Sequence, residues 1–313
     1  MIRFDFPDWL SPVILSLGPF QLTWYALAYV IGLIAGWRII RRLVVVEGLN
    51  LKPTDVDDYL IYALLGVILG GRIGNFAFGW GEGSFLDQLS QMFWLVQQRA
   101  DGSVVLAISG MSFHGGFLGL VLATILFWIR KGRRFSLWRF SDYLALVAPI
   151  GLFLGRIANF INRELYGRLA GDQAWFGVSF YPHSNPYAGR LEACQVSTGN
   201  TLQCSQAYDL TAYRHPSQLY EAAGEGLLLF ILLLGLYRIR WVRQRPGFMT
   251  GVFIAGYGLA RTLVEYVRSY DDGIGLNALG LSRSQELSLP MIFLGLGLMA
   301  LAWMRARRDT SPA

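Results

Sequence analysis

LGRIANFINRELYGR, residues Leu154–Arg168, closes an apolar run that begins near Tyr143 and packs three arginines, two asparagines and one glutamate into fifteen residues. If the run is a membrane helix, these groups lie at or near bilayer depth, where ionisable side chains are costly and are functional candidates by default. The rest of the chain then reads as a frame that holds this segment and supplies it with partners.

Composition decides which solvent applies. Of 313 residues, 54% are hydrophobic and 15% charged, and the mean hydropathy is +0.40. A soluble domain carries about 25% charged residues, so the chain reads as a polytopic membrane protein. The formal net charge of +6 does not point to nucleic acid, because the positive residues cluster at the ends of apolar runs, where they serve membrane orientation and anionic lipid. The N-terminus, with Arg3, Asp5, Asp8 and no small-residue cleavage site before the first run, does not read as a cleavable signal peptide.

Runs long enough to span a bilayer lie near 12–37, 57–78, 112–129, 140–162, 217–237, 248–268 and 285–304, each span needing roughly 20 apolar residues. The expected fold is therefore all-α, a polytopic membrane protein with seven transmembrane helices in a single integral-membrane domain. Arg38, Arg41 and Arg42 follow the first run, Arg130, Lys131, Arg133 and Arg134 the third, Arg238, Arg240, Arg243 and Arg245 the fifth, and Arg305, Arg307 and Arg308 the seventh. With alternating spans these lie on one side, and the positive-inside rule makes that side cytoplasmic, with the N-terminus outside and the C-terminus inside. On the outer side, residues 79–110 form an arm with an amphipathic piece around Phe85–Val96, and residues 169–215 form a small head. Cys194 and Cys204 both fall in the head, and both a disulfide and two unpaired thiols remain open there.

Chemistry-bearing residues gather on a few of these runs. Arg156, Asn159 and Arg163 are spaced i, i+3 and i+7 on the fourth, with Asn162 adjacent; Tyr257, Arg261 and Glu265 are spaced i, i+4 and i+8 on the sixth. His114 opens the third within MSFHGGFLG, Trp24, Tyr25 and Tyr29 lie on the first, and HPSQLYE opens the fifth at His215, bringing Gln218, Tyr220 and Glu221. Plain structural roles exist for each. Arg261 with Glu265 makes a helix clamp, the tyrosines make interfacial anchors, His114 packs helices, and His215 before Pro216 marks a helix start. Further arginines without an equal number of acids on the same faces are harder to explain in that way. Spare positive charge at membrane depth calls for an anion, and a guanidinium fork matches a phosphate bidentately. GRIGNF at Gly71–Phe76 echoes GRIANF at Gly155–Phe160, which would add Arg72 to the same outer-leaflet cavity.

GRIANFINRELYGR, MSFHGGFLGL, RHPSQLYE and GYGLARTLVEYVR closely resemble the prolipoprotein diacylglyceryl transferases of bacterial inner membranes, from about Pro12 to Met304. The resemblance implies transfer of the sn-1,2-diacylglyceryl group of phosphatidylglycerol to the lipobox cysteine thiol of a prolipoprotein, releasing glycerol-1-phosphate. It makes the arm and head periplasmic, places the protein in the cytoplasmic membrane, and implies no cofactor or metal. The positions it carries over are Tyr25, His114, Arg156, Asn159, Glu164, Gly167, Tyr257, Arg261 and Glu265. The chain departs from the family pattern at Arg163, where a glycine is usual, and at Asn75, where a tyrosine is usual. The first departure puts an extra cation near the site.

Residue types fit that reaction independently. Arg156 and Arg261 can stabilise charge growing on a leaving phosphate but cannot act as bases. A thiol near pKa ~8.5 needs help to ionise, and His114 has the range of a base; arginine lowering the thiol's pKa without a discrete base is the alternative. Asn159, Tyr25 and Tyr257 would hold phosphate or glycerol oxygens, and Glu265 would fix Arg261. An anion carrier would favour repeated halves, a serine protease is suggested only by ISGMSFH with Ser109 and His114, and a metal-dependent phosphatidyltransferase would need a carboxylate cluster.

Overall fold

The computed structural model describes residues 2–17, 20–77, 96–98, 104–106, 112–171, 174–183, 186–198, 201, 204–205, 209–269, 277 and 280–308. Its helices are α1 (Trp24–Val46), α2 (Pro53–Ala77), α3 (Phe113–Arg130), α4 (Leu137–Ile161), α5 (Ala188–Thr198), α6 (Ser217–Arg238), α7 (Arg240–Arg243), α8 (Phe248–Val264) and α9 (Arg283–Arg308). Among the described residues, four segments are long and apolar enough to cross a membrane: Pro53–Phe76, Leu137–Ile161, Ser217–Arg238 and Ser284–Ala306. Gly115–Arg130 and Phe248–Val264 are shorter apolar helices.

Two expectations need correction. The fold is mostly helical but not all-α, because β1 (Ile2–Asp5) pairs in parallel with β6 (Phe176–Ser179), while β2 (Val13–Leu17) with β3 (Phe20–Thr23), and β4 (Val96–Gln98) with β5 (Val104–Leu106), are antiparallel pairs. The apolar run near 12–37 is likewise divided, its first half being β2 and β3 and its helix starting only at Trp24. Gly18-Pro19 lies between the two strands in sequence; proline lacks an N–H and biases the preceding residue away from helix. Consequently Arg38, Arg41 and Arg42 belong to α1 and not to a following loop. The amphipathic stretch expected around Phe85–Val96 lies outside the described residues except for Val96.

The chain divides into two compact units. One comprises Val13–Thr23 and Ile34–Tyr143. Here α2 lies against α3 with backbone in contact: a Cβ on Gly70 would fall 2.4 Å from the Gly115 carbonyl oxygen, so only glycine permits this approach. Further along the pair, Tyr59 packs edge-on to Phe127 and Phe140 at 5.2 and 4.8 Å and its hydroxyl meets Thr124 Oγ1 at 2.9 Å. At the start of α2, Asp55 accepts from Lys131 Nζ at 2.5 Å and Arg134 Nη2 at 2.9 Å, and caps the Lys52 N–H at 2.8 Å.

The other unit comprises Met1–Pro12, Trp24–Leu33 and Leu144–Ala313. Phe6, Val178 and Phe180 are fully buried and packed by Leu10, Phe160, Tyr166 and Tyr181, so the β1–β6 pair sits on a small apolar core. Cys194 and Cys204 are disulfide-bonded, with Cα atoms 5.7 Å apart. Arg214, also fully buried, donates to the carbonyls of Gly167, Ser205 and Asp209 at 3.2, 2.7 and 2.9 Å. Three main-chain acceptors replace water around this guanidinium, and they bind the stretch that follows the disulfide to the segment after α4.

Candidate active site

α4 delivers Arg156 and Asn159 and then stops at Ile161. Arg163 N donates to Phe160 O at 3.1 Å and Glu164 N to Asn159 O at 3.2 Å, while Arg163 holds φ 55°. These bonds form a Schellman motif with Arg163 at the left-handed position that glycine usually takes. The i, i+3, i+7 face expected for Arg156, Asn159 and Arg163 therefore does not exist, because the helix reverses before its third member. Arg163 turns to the head core instead, 4.4 Å over the Phe6 ring and 5.2 Å over Tyr181, donating to Phe180 O and Pro7 O at 3.3 and 3.4 Å. It is a cation–π clamp, not an extra cation beside Arg156.

Glu164, the next residue, organises the polar side of the turn. Its Oε1 accepts from Asn159 Nδ2 at 2.9 Å and Asn162 Nδ2 at 3.4 Å, and Asn159 also bonds the Tyr25 hydroxyl. Tyr25 stacks on Tyr29 with centroids 5.8 Å apart. Gln218 and Ser217, fully buried at the start of α6, donate to the carbonyls of Glu164 and Leu165 at 2.5 and 2.8 Å. HPSQ is thus the segment that fastens α6 to the turn ending α4.

Gly167 lies where three chain segments cross. Its N–H donates to His215 O at 2.8 Å, Arg168 N–H donates to Val267 O at 2.9 Å, and Gly167 bridges Arg268. A Cβ there would lie 2.4 Å from Val267 O and 2.6 Å from His215 O. No other residue fits without separating the segments after α4, before α6 and after α8.

Those three segments bring together a buried ionic cluster. Glu221 on α6, with 0% side-chain exposure, accepts hydrogen bonds on Oε1 from Arg261 Nη1 and Arg268 Nη1 at 3.0 and 3.1 Å, and its Oε2 is ion-paired with Arg156 Nη1 at 3.1 Å. Arg156 Nη2 reaches Glu225 Oε2 at 3.2 Å. Arg261 also meets Glu265 Oε2 at 3.1 Å, and its Nη2 donates to Ser284 Oγ at 2.7 Å. Tyr257, one turn before Arg261, is buried within electrostatic range of Arg156, Arg261, Glu221 and Glu225. Ala222–Leu228, within α6, is π-helical and carries Glu225; such wide turns recur at functional sites.

The positive charge is not spare, as the pattern of the sequence suggested. Arg156, Arg261 and Arg268 face Glu221, Glu225 and Glu265, so the cluster balances among the described residues. Sequence reasoning missed Glu225, Arg268 and Ser284. Glu225 had a signal: it is an acid inside an apolar run, four residues after Glu221, the same criterion that singled out Arg156. Arg268 follows the helical part of its span, and only the chain crossing at Gly167 turns it inward. His114 lies in α3, in the other unit, and its side chain falls outside the described residues; Arg72 is buried in that unit as well.

Apolar helices of spanning length, together with guanidiniums and carboxylates meeting in the interior, define an integral membrane protein with a buried arginine–glutamate centre. Comparison with known proteins narrows this class. The family model for prolipoprotein diacylglyceryl transferase matches residues 12–301. A phosphatidylglycerol–prolipoprotein diacylglyceryl transferase of Rhodospirillum rubrum is 41% identical over 300 residues, covering 94% of this chain and 92% of the relative. Relatives of the same description from Paramagnetospirillum magneticum and Acidiphilium cryptum are 38% and 41% identical, covering 96% of this chain and 96% and 94% of their own. The chain belongs to the prolipoprotein diacylglyceryl transferase family.

Proposed function

We propose that the protein transfers the sn-1,2-diacylglyceryl group of phosphatidylglycerol to the lipobox cysteine thiol of prolipoproteins, the first step of bacterial lipoprotein maturation. The observation that carries this reading is the convergence of Arg156 from α4 and Arg261 from α8 on one buried carboxylate, Glu221. Two forks that share a carboxylate from separate helices are also placed to share a phosphate.

In the reaction the thiol sulfur attacks a glyceryl carbon, the C–O bond breaks, and glycerol-1-phosphate leaves with the electron pair. Arg156 and Arg261 stabilise the growing charge in surroundings where it is poorly screened. Asn159, Tyr25 and Tyr257 hold phosphate or glycerol oxygens, and the thiol proton goes either to His114 as base or, where the arginines alone lower the thiol's pKa, to solvent. Glu265 orients Arg261, and Asn162, Glu164 and Gly167 hold the turn that presents Asn159. Nucleophile and leaving group both come from the substrates, so the chemistry calls for no cofactor. Seven spans, with the N-terminus, the arm (79–110) and the head (169–215) periplasmic and the C-terminus cytoplasmic, would bring the lipid and the translocated signal peptide to this centre in the bacterial inner membrane.

The test is purified protein with phosphatidylglycerol and a lipobox peptide. Thioether-linked diacylglyceryl peptide and glycerol-1-phosphate are the expected products. Folded protein that forms neither overturns the proposal.

A further inference from the structure

Glu225 is a buried acid to which the reaction above gives no role, and its contacts differ from those of its neighbours. Glu221 is held by Arg156, Arg261 and Arg268, and would keep two of them if Arg156 were taken away. Glu265 pairs with Arg261, which is anchored in addition by Glu221 and Ser284. Glu225 has 0% side-chain exposure and its ion pair among the described residues is with Arg156; like Glu221 Oε2 and Glu265 Oε2, its Oε1 is buried without a hydrogen-bond partner. It also sits in the π-helical turn of α6.

Resting on the reading that Arg156 binds the lipid phosphate, we infer that the phosphate displaces Glu225 from Arg156 and that Glu225 takes up one proton as it is displaced. The physical reason is charge. Three arginines already balance three glutamates, so a phosphodiester entering the cluster adds an uncompensated negative charge to a buried site. A carboxylate stripped of its cation in such surroundings is far more costly than its neutral acid. The groups facing Glu225 are Arg156 on α4, Glu221 on its own helix, and Arg261 and Tyr257 on α8; among these Glu221 is also negative and adds to the penalty. The proton comes from a buffer acid in the aqueous phase, whose bond to hydrogen breaks as the carboxyl O–H forms, so the carboxylate becomes a neutral carboxylic acid and the conjugate base stays in solution. Glu225 is then a positioning residue, which holds Arg156 in the empty site and releases it when the head group arrives.

Linkage fixes the sign. If binding takes up one proton, phosphatidylglycerol affinity falls by about tenfold per pH unit between the carboxyl's pKa in the empty protein and its higher pKa in the lipid-bound protein. The experiment is calorimetric binding of phosphatidylglycerol by the full chain in nanodiscs of a zwitterionic lipid, in buffers of different ionisation enthalpy and across pH. About one proton taken up per lipid is expected for the wild type; none overturns the inference without reference to any variant. Glu225→Gln, whose amide oxygen still accepts from Arg156, should bind without proton uptake and with little pH dependence, and an unchanged pH slope in the folded variant overturns the assignment to Glu225. The two readings fail separately: proton-coupled lipid binding without thioether formation defeats the transferase proposal alone, while thioether formation without proton uptake defeats this inference alone.

Discussion

Asp55 and Glu221 are each the carboxylate at the centre of an ion-pair network, and they differ in what surrounds their partners. Asp55, whose side chain is 8% exposed, holds Lys131 and Arg134 near the ends of helices, where those side chains are 19% and 43% exposed and Lys131 also reaches the exposed Asp58. Glu221 holds three arginines, and its own side chain has no exposure while that of Arg156 has 17%. Exposed pairs exchange water for protein at little net gain. The Glu221 network gives up that water, and apolar residues of similar volume would often serve stability as well. A staple therefore explains the first network, but the second requires a use for its charge, and anion chemistry supplies one.

The largest expected effect is on turnover. Arg156→Lys keeps a positive charge and loses the planar fork, and should lower the rate of thioether formation by roughly 10²–10³-fold with a near-normal unfolding midpoint. Near-normal turnover would reduce Arg156 to a source of field. Next comes stability: Glu221→Gln leaves three buried guanidiniums short of an anion and should cost about 3–5 kcal/mol. Asp55→Asn, which loses partly exposed pairs at the edge of the unit but keeps a capping oxygen, should cost less, ~1 kcal/mol. Salt near ~1 M should shrink the Asp55 effect but not the Glu221 effect. Equal costs with equal salt dependence in reversible unfolding would erase the distinction between the two networks.

A smaller effect separates backbone from charge at Arg163. Arg163→Ala removes the cation–π clamp and keeps a Cβ at positive φ, whereas Arg163→Gly removes the clamp but relieves the backbone. The glycine variant should be the more stable of the two by ~1 kcal/mol, read from paired denaturant curves, and the reverse order would mean that the turn is not left-handed. The smallest effect concerns His215, half-buried between the two extremes. Burial holds its imidazole below the usual histidine range. Protonation then costs more in the folded than in the unfolded state, so stability is full above the unfolded pKa and declines as pH falls through it toward the folded pKa. His215→Asn should flatten that part of the stability-versus-pH curve.

Much of this was readable in the residues where the relevant distance is short along the chain. Arg261 and Glu265 sit one turn apart, and the structure pairs them at 3.1 Å. The disulfide was an open choice, since the spacing allowed bonded or free cysteines alike. The end of α4 was not readable from spacing, because nothing in helical periodicity announces that an arginine will adopt a left-handed φ. Its reason lies in Phe6 and Tyr181, supplied by the N-terminal segment and the head. Glu225, an acid inside an apolar run, is legible by the same rule that singles out Arg156.

By itself, the sequence determined the solvent, most of the apolar helices and the family to which the chain belongs, since hydropathy and motif spacing are local properties. Which carboxylate each arginine meets, where α1 begins and α4 ends, and the pairing of β1 with β6 follow from the folded chain alone. Those outcomes depend on long-range packing, and above all on the requirement that a buried charge find a counter-charge on whichever segment the fold brings within about 3 Å.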